Sequence, residues 1–332
     1  MVICDKVKEL MLKPQPAQLS KEWFDARKGR VTASSASNLL IRDKTTCERY
    51  VTIYELEDTF DYDNKCCNPY SSKQQYMFEK CKQTFKGSPA TFWGQRYESI
   101  ATNVYERMTE TRVIDFGLLS HDTLNWLAAS PDGISEDGVM LEIKCPYRRK
   151  ITGIPPLYYY QQVQIQLEVA DLEVCDFLEV EFEEVATMRE LIDDSLCDTP
   201  PMYKGVYLQF ECVPDEFEKR NYYYPDKSVY NDPVKMNDWA RTSIDDLLEA
   251  KDLEVLKQSE NYTSCMDQNY KKYTIKTVYW RTKVISNVRI QRDREWFANI
   301  KDFLKSQWDD VLVFKENFTG AEIAKIEDDC LF

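Results

Sequence analysis

The feature that most constrains the fold is a change of apolar period near Arg112. Before it, "ATFWGQRYESIATNVYERMTE" (90–110) places Tyr97, Ala101, Val104 and Met108 at helical spacing, so one helix face can bury. After it, "RVIDFGLLS", "LNWLAAS" and "GVMLEIK" alternate with a period of two and are separated by turn residues, which predicts a meander of strands. Pro155-Pro156 then open a helix, "LYYYQQVQIQLEVA", and "EVCDFLEVEF" predicts a strand that pairs with the meander after the crossover. This order predicts an α/β core with a central mixed sheet flanked by helices.

The flanking segments add to that core. "SKEWFDARKG" reads as a helix capped by Ser20 and stopped at Gly29, and "TASSASNLLI" as a second helix entered through hydroxyl caps. A polar, cysteine-rich stretch (58–72) precedes another helix, "SSKQQYMFEKCKQTF". Further on, "GVYLQFECV" predicts a strand, while 213–234 and 251–273 read as loops around a short helix at "DWARTSIDDLLEA". A strand region, "YTIKTVYWRTKVISNVRI", and a helix, "DREWFANIKDFLKSQWDDVL", close the chain. The organisation expected is an N-terminal extension (1–19), a core (20–185) and a C-terminal elaboration (186–332) completing the same domain.

The composition excludes several kinds of protein. A chain of 332 residues, 43% hydrophobic and 13% aromatic, can bury a sizeable core. Its 43 basic and 57 acidic residues give a net charge of −14, which argues against coating nucleic acid through an overall positive field. A local basic channel remains open, since "RKGR" (27–30) and "KCPYRRK" (144–150) run against the acidic 173–198 and the terminal "IEDDCLF". The 11 cysteines are odd in number, scattered, and without a Cys-x-x-Cys pair; Cys66 and Cys67 are simply adjacent. Reduced thiols in an intracellular, reducing compartment are expected, without structural zinc. No signal peptide and no membrane span are read. The single histidine, His121, lies far from any nucleophile motif and takes the ordinary surface reading, so any catalysis is expected to use carboxylates.

Those carboxylates converge in "SPDGISEDGVMLEIKCPYRRK" (130–150). On a strand, Glu142 and Lys144 share one face and Ile143 takes the other. Asp132, read at the end of the preceding strand before an Asp132-Gly133 turn, approaches that face. Two carboxylates and a backbone carbonyl make an open site for Mg²⁺, and a lysine beside it can orient or deprotonate water attacking a phosphodiester. The bland alternative is a hairpin with an exposed cross-strand ion pair. On the helix 156–170, Tyr158, Gln162 and Gln166 share a face, either at the rim of a helix covering the sheet or reaching the site.

Asp132 with Glu142-Ile143-Lys144 resembles the PD-(D/E)XK nuclease signature, and "SPDG…LEIKCP" resembles its form in lambda exonuclease and the YqaJ-like viral recombinases. "EWFDARKGRVTASSAS", "WGQRYESIA" and "YYYQQVQIQLEV" resemble three further segments of that family in the same order, so the resemblance covers roughly 20–185. It implies a restriction-endonuclease-like core in which Asp132, Glu142 and the Ile143 carbonyl hold the metal. It also implies that Lys144 acts on the water, that Glu98 holds a metal water or a second ion, and that Gln162 supports the lysine or the scissile phosphate. Arg27 and Ser34 are then expected to bind a 5′-phosphate, and Trp23 to pack on the terminal nucleotide. Tyr159, Arg148 and Arg149 are the further DNA contacts expected. The function implied is a Mg²⁺-dependent exodeoxyribonuclease, with Mn²⁺ as a substitute, degrading linear duplex from a 5′-phosphorylated end in the 5′→3′ direction. It would serve viral recombination or repair, act on double-stranded DNA ends beside a strand-annealing protein, and form homo-oligomers in some relatives. The alternatives are a structure-specific endonuclease, a DNA/RNA nuclease with the same site, or a non-catalytic DNA-binding scaffold.

Overall fold

The computed structural model describes residues 3–40, 44–56, 72–82, 87–196, 201–212, 221–249 and 273–318. Most of the cysteine-rich 58–72, the adjacent Cys66-Cys67 pair, nearly all of 251–273 and the acidic terminus lie outside the described residues. The N-terminal elements are α1 (Asp5–Leu12), α2 (Lys21–Arg27), β1 (Val31–Thr32), α3 (Ala33–Ala36), α4 (Lys44–Ile53), α5 (Lys73–Lys82) and α6 (Pro89–Thr109). Five short strands follow: β2 (Val113–Ile114), β3 (Leu119–Ser120), β4 (Leu127–Ala129), β5 (Gly133–Ser135) and β6 (Met140–Lys144). The remainder is α7 (Leu157–Ala170), β7 (Val174–Val185), α8 (Met188–Ile192), β8 (Lys204–Cys212), β9 (Asn221–Tyr223), α9 (Pro233–Glu249), β10 (Tyr273–Gln291) and α10 (Arg294–Asn317).

The helix starts follow from their caps. Ser20 accepts from the Trp23 N–H, Ser88 from the Thr91 N–H ahead of Pro89, and Asp293 from the Trp296 N–H, each meeting an otherwise unpaired first-turn donor. The second predicted helix shrinks to the four residues of α3, and the helix placed at 238–250 starts earlier, at Pro233.

The main sheet runs β2-β5-β6-β7-β10-β8-β9, mixed because β6 and β7 pair in parallel across the α7 crossover while its other pairs are antiparallel. The expected meander is divided: β3 and β4 leave it to join β1 in a separate three-stranded sheet. All three residues of β4 are buried, so its sequence carries no inward-outward signal that could have named its partners. The predicted return strand, β7, does pair with β6, from Met140 opposite Cys175 to Lys144 opposite Glu179. The terminal strand region is one 19-residue strand, β10, inserted between β7 and β8, so the last third of the chain shares the core sheet.

Parity on β6 divides the two cores. Met140 joins Val163, Leu167, Phe177, Trp296 and Leu304 under α7 and α10, whereas Leu141 and Ile143 join Tyr97, Ile100 and Val104 of α6. Glu142 and Lys144 therefore face α7. Near-complete burial of side chains such as Phe177 and Trp296 stabilises the folded state by about 1.5–3 kcal/mol each.

The C-terminal end of α7 is pinned by charge. Arg292 pairs with Glu168 at 2.8 Å and Asp171 at 2.7 Å, and Lys6 reaches Asp171 at 2.9 Å. Hydrogen bonds from Arg292 and Lys6 hold the Asp171 carboxyl down at about 2. Because the folded state binds this proton more weakly than the unfolded chain, where Asp titrates near about 4, the stabilisation is present above pH ~4 and lost as pH falls towards 2. Asp171→Asn should flatten the acid limb of a stability-pH profile over that interval, measured by urea unfolding; an unaltered slope would remove the pairing from the account.

Candidate active site

Asp132 lies one residue before β5 and one step beyond the Gly133–Leu141 pair, which sets it beside Glu142. The predicted turn at Asp132-Gly133 is not there: Gly133 is the first residue of the strand. A Cβ on it would meet Val113 Cγ1 at 2.2 Å, so glycine lets β2 pass close by. The chain reverses instead at Asp137-Gly138, where Gly138 takes a φ of +88° and its N–H bonds the Ser135 carbonyl.

Glu142 is 1% exposed, and both its oxygens are engaged. Oε1 accepts from Gln162 at 2.6 Å and from the Lys144 ammonium, and Oε2 accepts from Gln166 at 2.6 Å. Gln162, expected to support the lysine or the scissile phosphate, shares Glu142 Oε1 with the Lys144 ammonium, because α7 lies over the face of β6 that carries Glu142. Gln166 completes this clamp and is absent from the residues assigned by resemblance. Its position four residues after Gln162, on the same helix face, was the available signal.

Asp132 Oδ2 accepts the Ile143 N–H at 2.6 Å, which ties the carboxylate across the hairpin. Burial, with Glu142 and Glu98 nearby, raises the Asp132 carboxyl well above its ordinary range. Glu98, on α6, is pushed up to about 7 by burial, with Glu142 and Asp115 adding repulsion against the pull of Lys144. Burial opposes the charge on Lys144, but Glu142, Tyr159 and Asp132 outweigh it and raise its pKa. Three carboxyl groups, Glu98, Asp132 and Glu142, thus share one ammonium.

That surplus of hard oxygen donors is the chemistry a divalent cation takes. Asp132, Glu98, Glu142 and the Ile143 carbonyl are the groups present to hold one. In the observed rotamers both Glu142 oxygens are bound by N–H donors, and among the described residues no three acidic, histidine or cysteine side chains converge as a preformed cage. The donor set fits a cation by type and charge, and Glu142 Oε2, with one donor on it, keeps acceptor capacity.

Tyr159 and Arg149, both expected at DNA, are turned to other contacts. Tyr159 lies under the Lys144 ammonium at 4.8 Å, and Arg149 pairs with Glu179, which is fully buried on β7. Arg149 is drawn inwards because an unpaired buried carboxylate is costly. Arg148 remains exposed beside the Tyr147 ring. His121, read as an ordinary surface residue, is only 13% exposed: Nδ1 accepts from the Thr123 and Leu124 N–H groups, Nε2 lies 3.6 Å from Glu168, and the ring stacks on Phe297, because α7 and α10 pack beside it.

The N-terminal residues gather separately. Arg27 stacks on the Trp23 ring at 4.0 Å and points Nη2 towards Ser34 Oγ at 3.4 Å. Trp23 was expected to meet a nucleotide; at 9% exposure it is packed with Leu118 and Ala128 beneath Arg27 and supports the guanidinium. Its Nε1–H donates to Ser130 Oγ at 2.9 Å, and the Ser130 carbonyl receives Gln166 at 3.4 Å. Ser130 therefore joins the two groups. It stands in "SPDG" and went unassigned because nothing local in that motif pointed to Trp23. Among the described residues Cys4, Cys47, Cys81, Cys145 and Cys175 are free thiols, and no helix is long and apolar enough to cross a membrane.

The fold and this cluster define an α/β protein with an Asp, Glu and Lys site on a hairpin beside a crossover helix. Residues 22–173 match the family model of the YqaJ-like viral recombinase domain. An uncharacterized protein of Acanthamoeba polyphaga mimivirus is 27% identical over 326 residues, covering 92% of this chain and 54% of that protein. The chain thus spans about half the length of that relative. Among solved structures, an alkaline exonuclease from Laribacter hongkongensis is similar at 19% identity and a TM-score of 0.45, over 92% of this chain and 100% of that one. A phage-related exonuclease from Haemophilus somnus gives 13% identity and a TM-score of 0.40, over 86% and 95%.

Proposed function

We propose that the chain is a metal-dependent nuclease that degrades linear duplex DNA from a 5′-phosphorylated end in the 5′→3′ direction, leaving 3′ single strands for viral recombination or repair. The observation that carries the reading is the continuous path from Glu142 through Gln166, Ser130 and Trp23 to Arg27, which links a carboxylate-lysine cluster to a guanidinium stacked on Trp23 beside Ser34. The match to the YqaJ-like domain and the resemblance to PD-(D/E)XK nucleases support it.

In this reading Asp132, Glu142, the Ile143 carbonyl and Glu98 hold Mg²⁺ or Mn²⁺. The bound cation supplies charge neutralisation at the scissile phosphate and acidifies a water. Lys144, held by Glu142 and Tyr159, orients that water and offsets charge on the non-bridging oxygen. Gln162 and Gln166 hold Glu142 in place, and Arg27 with Ser34 binds the terminal phosphate through charge-assisted bonds. Arg148 contacts the DNA backbone, and a strand-annealing protein takes up the single strand produced.

The test incubates the full chain and Mg²⁺ with 5′-phosphorylated linear duplex, 5′-hydroxyl linear duplex and closed circular DNA. The phosphorylated linear form should be degraded fastest and the circle spared. Circles cut as fast as linear DNA would replace the exonuclease by an endonuclease, and no cutting of any substrate would leave a binding scaffold.

A further inference from the structure

A ring of polar groups lies beside Arg27. Lys80, on α5, donates through Nζ to the Arg27 carbonyl at 2.9 Å and the Arg30 carbonyl at 3.1 Å. Its ammonium also lies over the rings of Tyr76, at 5.4 Å, and Trp308 of α10, at 5.6 Å. From Tyr76 the ring continues through hydroxyls: Ser35 Oγ is 3.3 Å from Tyr76 Oη and 3.0 Å from Thr32 Oγ1, which lies 3.5 Å from Ser34 Oγ. Ser34 closes the circuit on Arg27.

Arg27 and Lys80 thus share one half-buried spot, and among the described residues neither is paired with a carboxylate. Withdrawing cations from water without a counter-ion is costly, and carbonyls and ring faces offset only part of that cost. The effect shows on both groups. Burial lowers Arg27 to about 10, and burial together with Arg27 and Lys315 lowers Lys80 to about 7. An incoming anion would relieve both.

We infer that Lys80 is the second cation of the DNA-end site, where it reads the dianionic charge of a phosphate monoester and fixes the Arg27–Arg30 turn that presents Arg27. The inference rests on the end-directed nuclease reading above. A terminal monoester carries about −1.5 to −2 charges at neutral pH against one for an internal diester, so a second cation discriminates an end from the rest of the strand. The Tyr76 and Trp308 rings flank the ammonium, and the two carbonyls hold it against the turn.

The experiment measures two quantities on the full chain: affinity for inorganic phosphate by calorimetry, and the ratio of cleavage rates on 5′-phosphorylated and 5′-hydroxyl linear duplex. Lys80→Met should lower both by about ten- to a hundredfold, the loss of one hydrogen bond to a charged group. Lys80→Arg, which restores the charge, should recover most of each. Wild-type values of both in Lys80→Met would overturn the inference, as would an equal loss on both duplexes with phosphate affinity intact, or no recovery in Lys80→Arg. Wild-type protein that neither binds phosphate nor distinguishes the two ends would overturn the end-binding reading itself, and this inference with it.

Discussion

If the proposed site is right, Lys144→Ala should lower the single-turnover rate on 5′-phosphorylated linear duplex by about a hundred- to ten-thousandfold in saturating Mg²⁺, the range for removing a group that positions or moves the reacting proton. Lys144 is the one ammonium among Glu98, Asp132 and Glu142, with Glu142 and the Tyr159 ring fixing its direction. Its loss leaves all the oxygen donors in place, so the rise in melting temperature caused by Mg²⁺ should persist in the variant. A rate within about tenfold of wild type would remove Lys144 from the chemistry. Loss of the Mg²⁺-induced rise would instead make it part of the metal site.

The two carboxylates of the hairpin should separate in stability while both lose activity. Glu142 is engaged by Gln162, Gln166 and Lys144, all donors, so Glu142→Gln turns an amide N–H against one of them and leaves it without its acceptor. Leaving a buried donor unsatisfied costs about 1–3 kcal/mol. Among the described residues Asp132 accepts only the Ile143 N–H, which the carbonyl of Asn can still receive, and its charge lies against two other carboxyls. Asp132→Asn should therefore leave the metal-free protein at least as stable as wild type. Urea midpoints without metal distinguish the two variants, and Mg²⁺ should no longer raise the melting temperature of either. Equal destabilisation would show that the Gln162-Gln166 clamp contributes little.

Much of the site could be read locally. The parity that sets Glu142 and Lys144 on one face depends only on strand geometry, and the four-residue step from Gln162 to Gln166 only on a helical turn. Local reading stopped wherever a partner distant in sequence decided the contact. Gly133 looked like half of a turn, but its missing Cβ answers to Val113. Trp23 looked available to a nucleotide, yet Leu118, Ala128 and Ser130 enclose it. Arg149 looked like a free backbone contact until β7 set Glu179 beside it. The meander divided because β4 is buried throughout and no alternation marks the sheet it joins.

The sequence by itself determined the period of each element, the caps that start the helices, and the residue types that can hold a cation or meet a phosphate, since these depend on neighbours within a few positions. Only the tertiary structure decided which groups face one another. Packing of α7 over β6 set two glutamines on Glu142, and placement of α5 beside the Arg27 turn brought the Lys80 ammonium onto the Arg27 carbonyl. Burial then made those contacts matter, because charges removed from water must find partners wherever the fold supplies them.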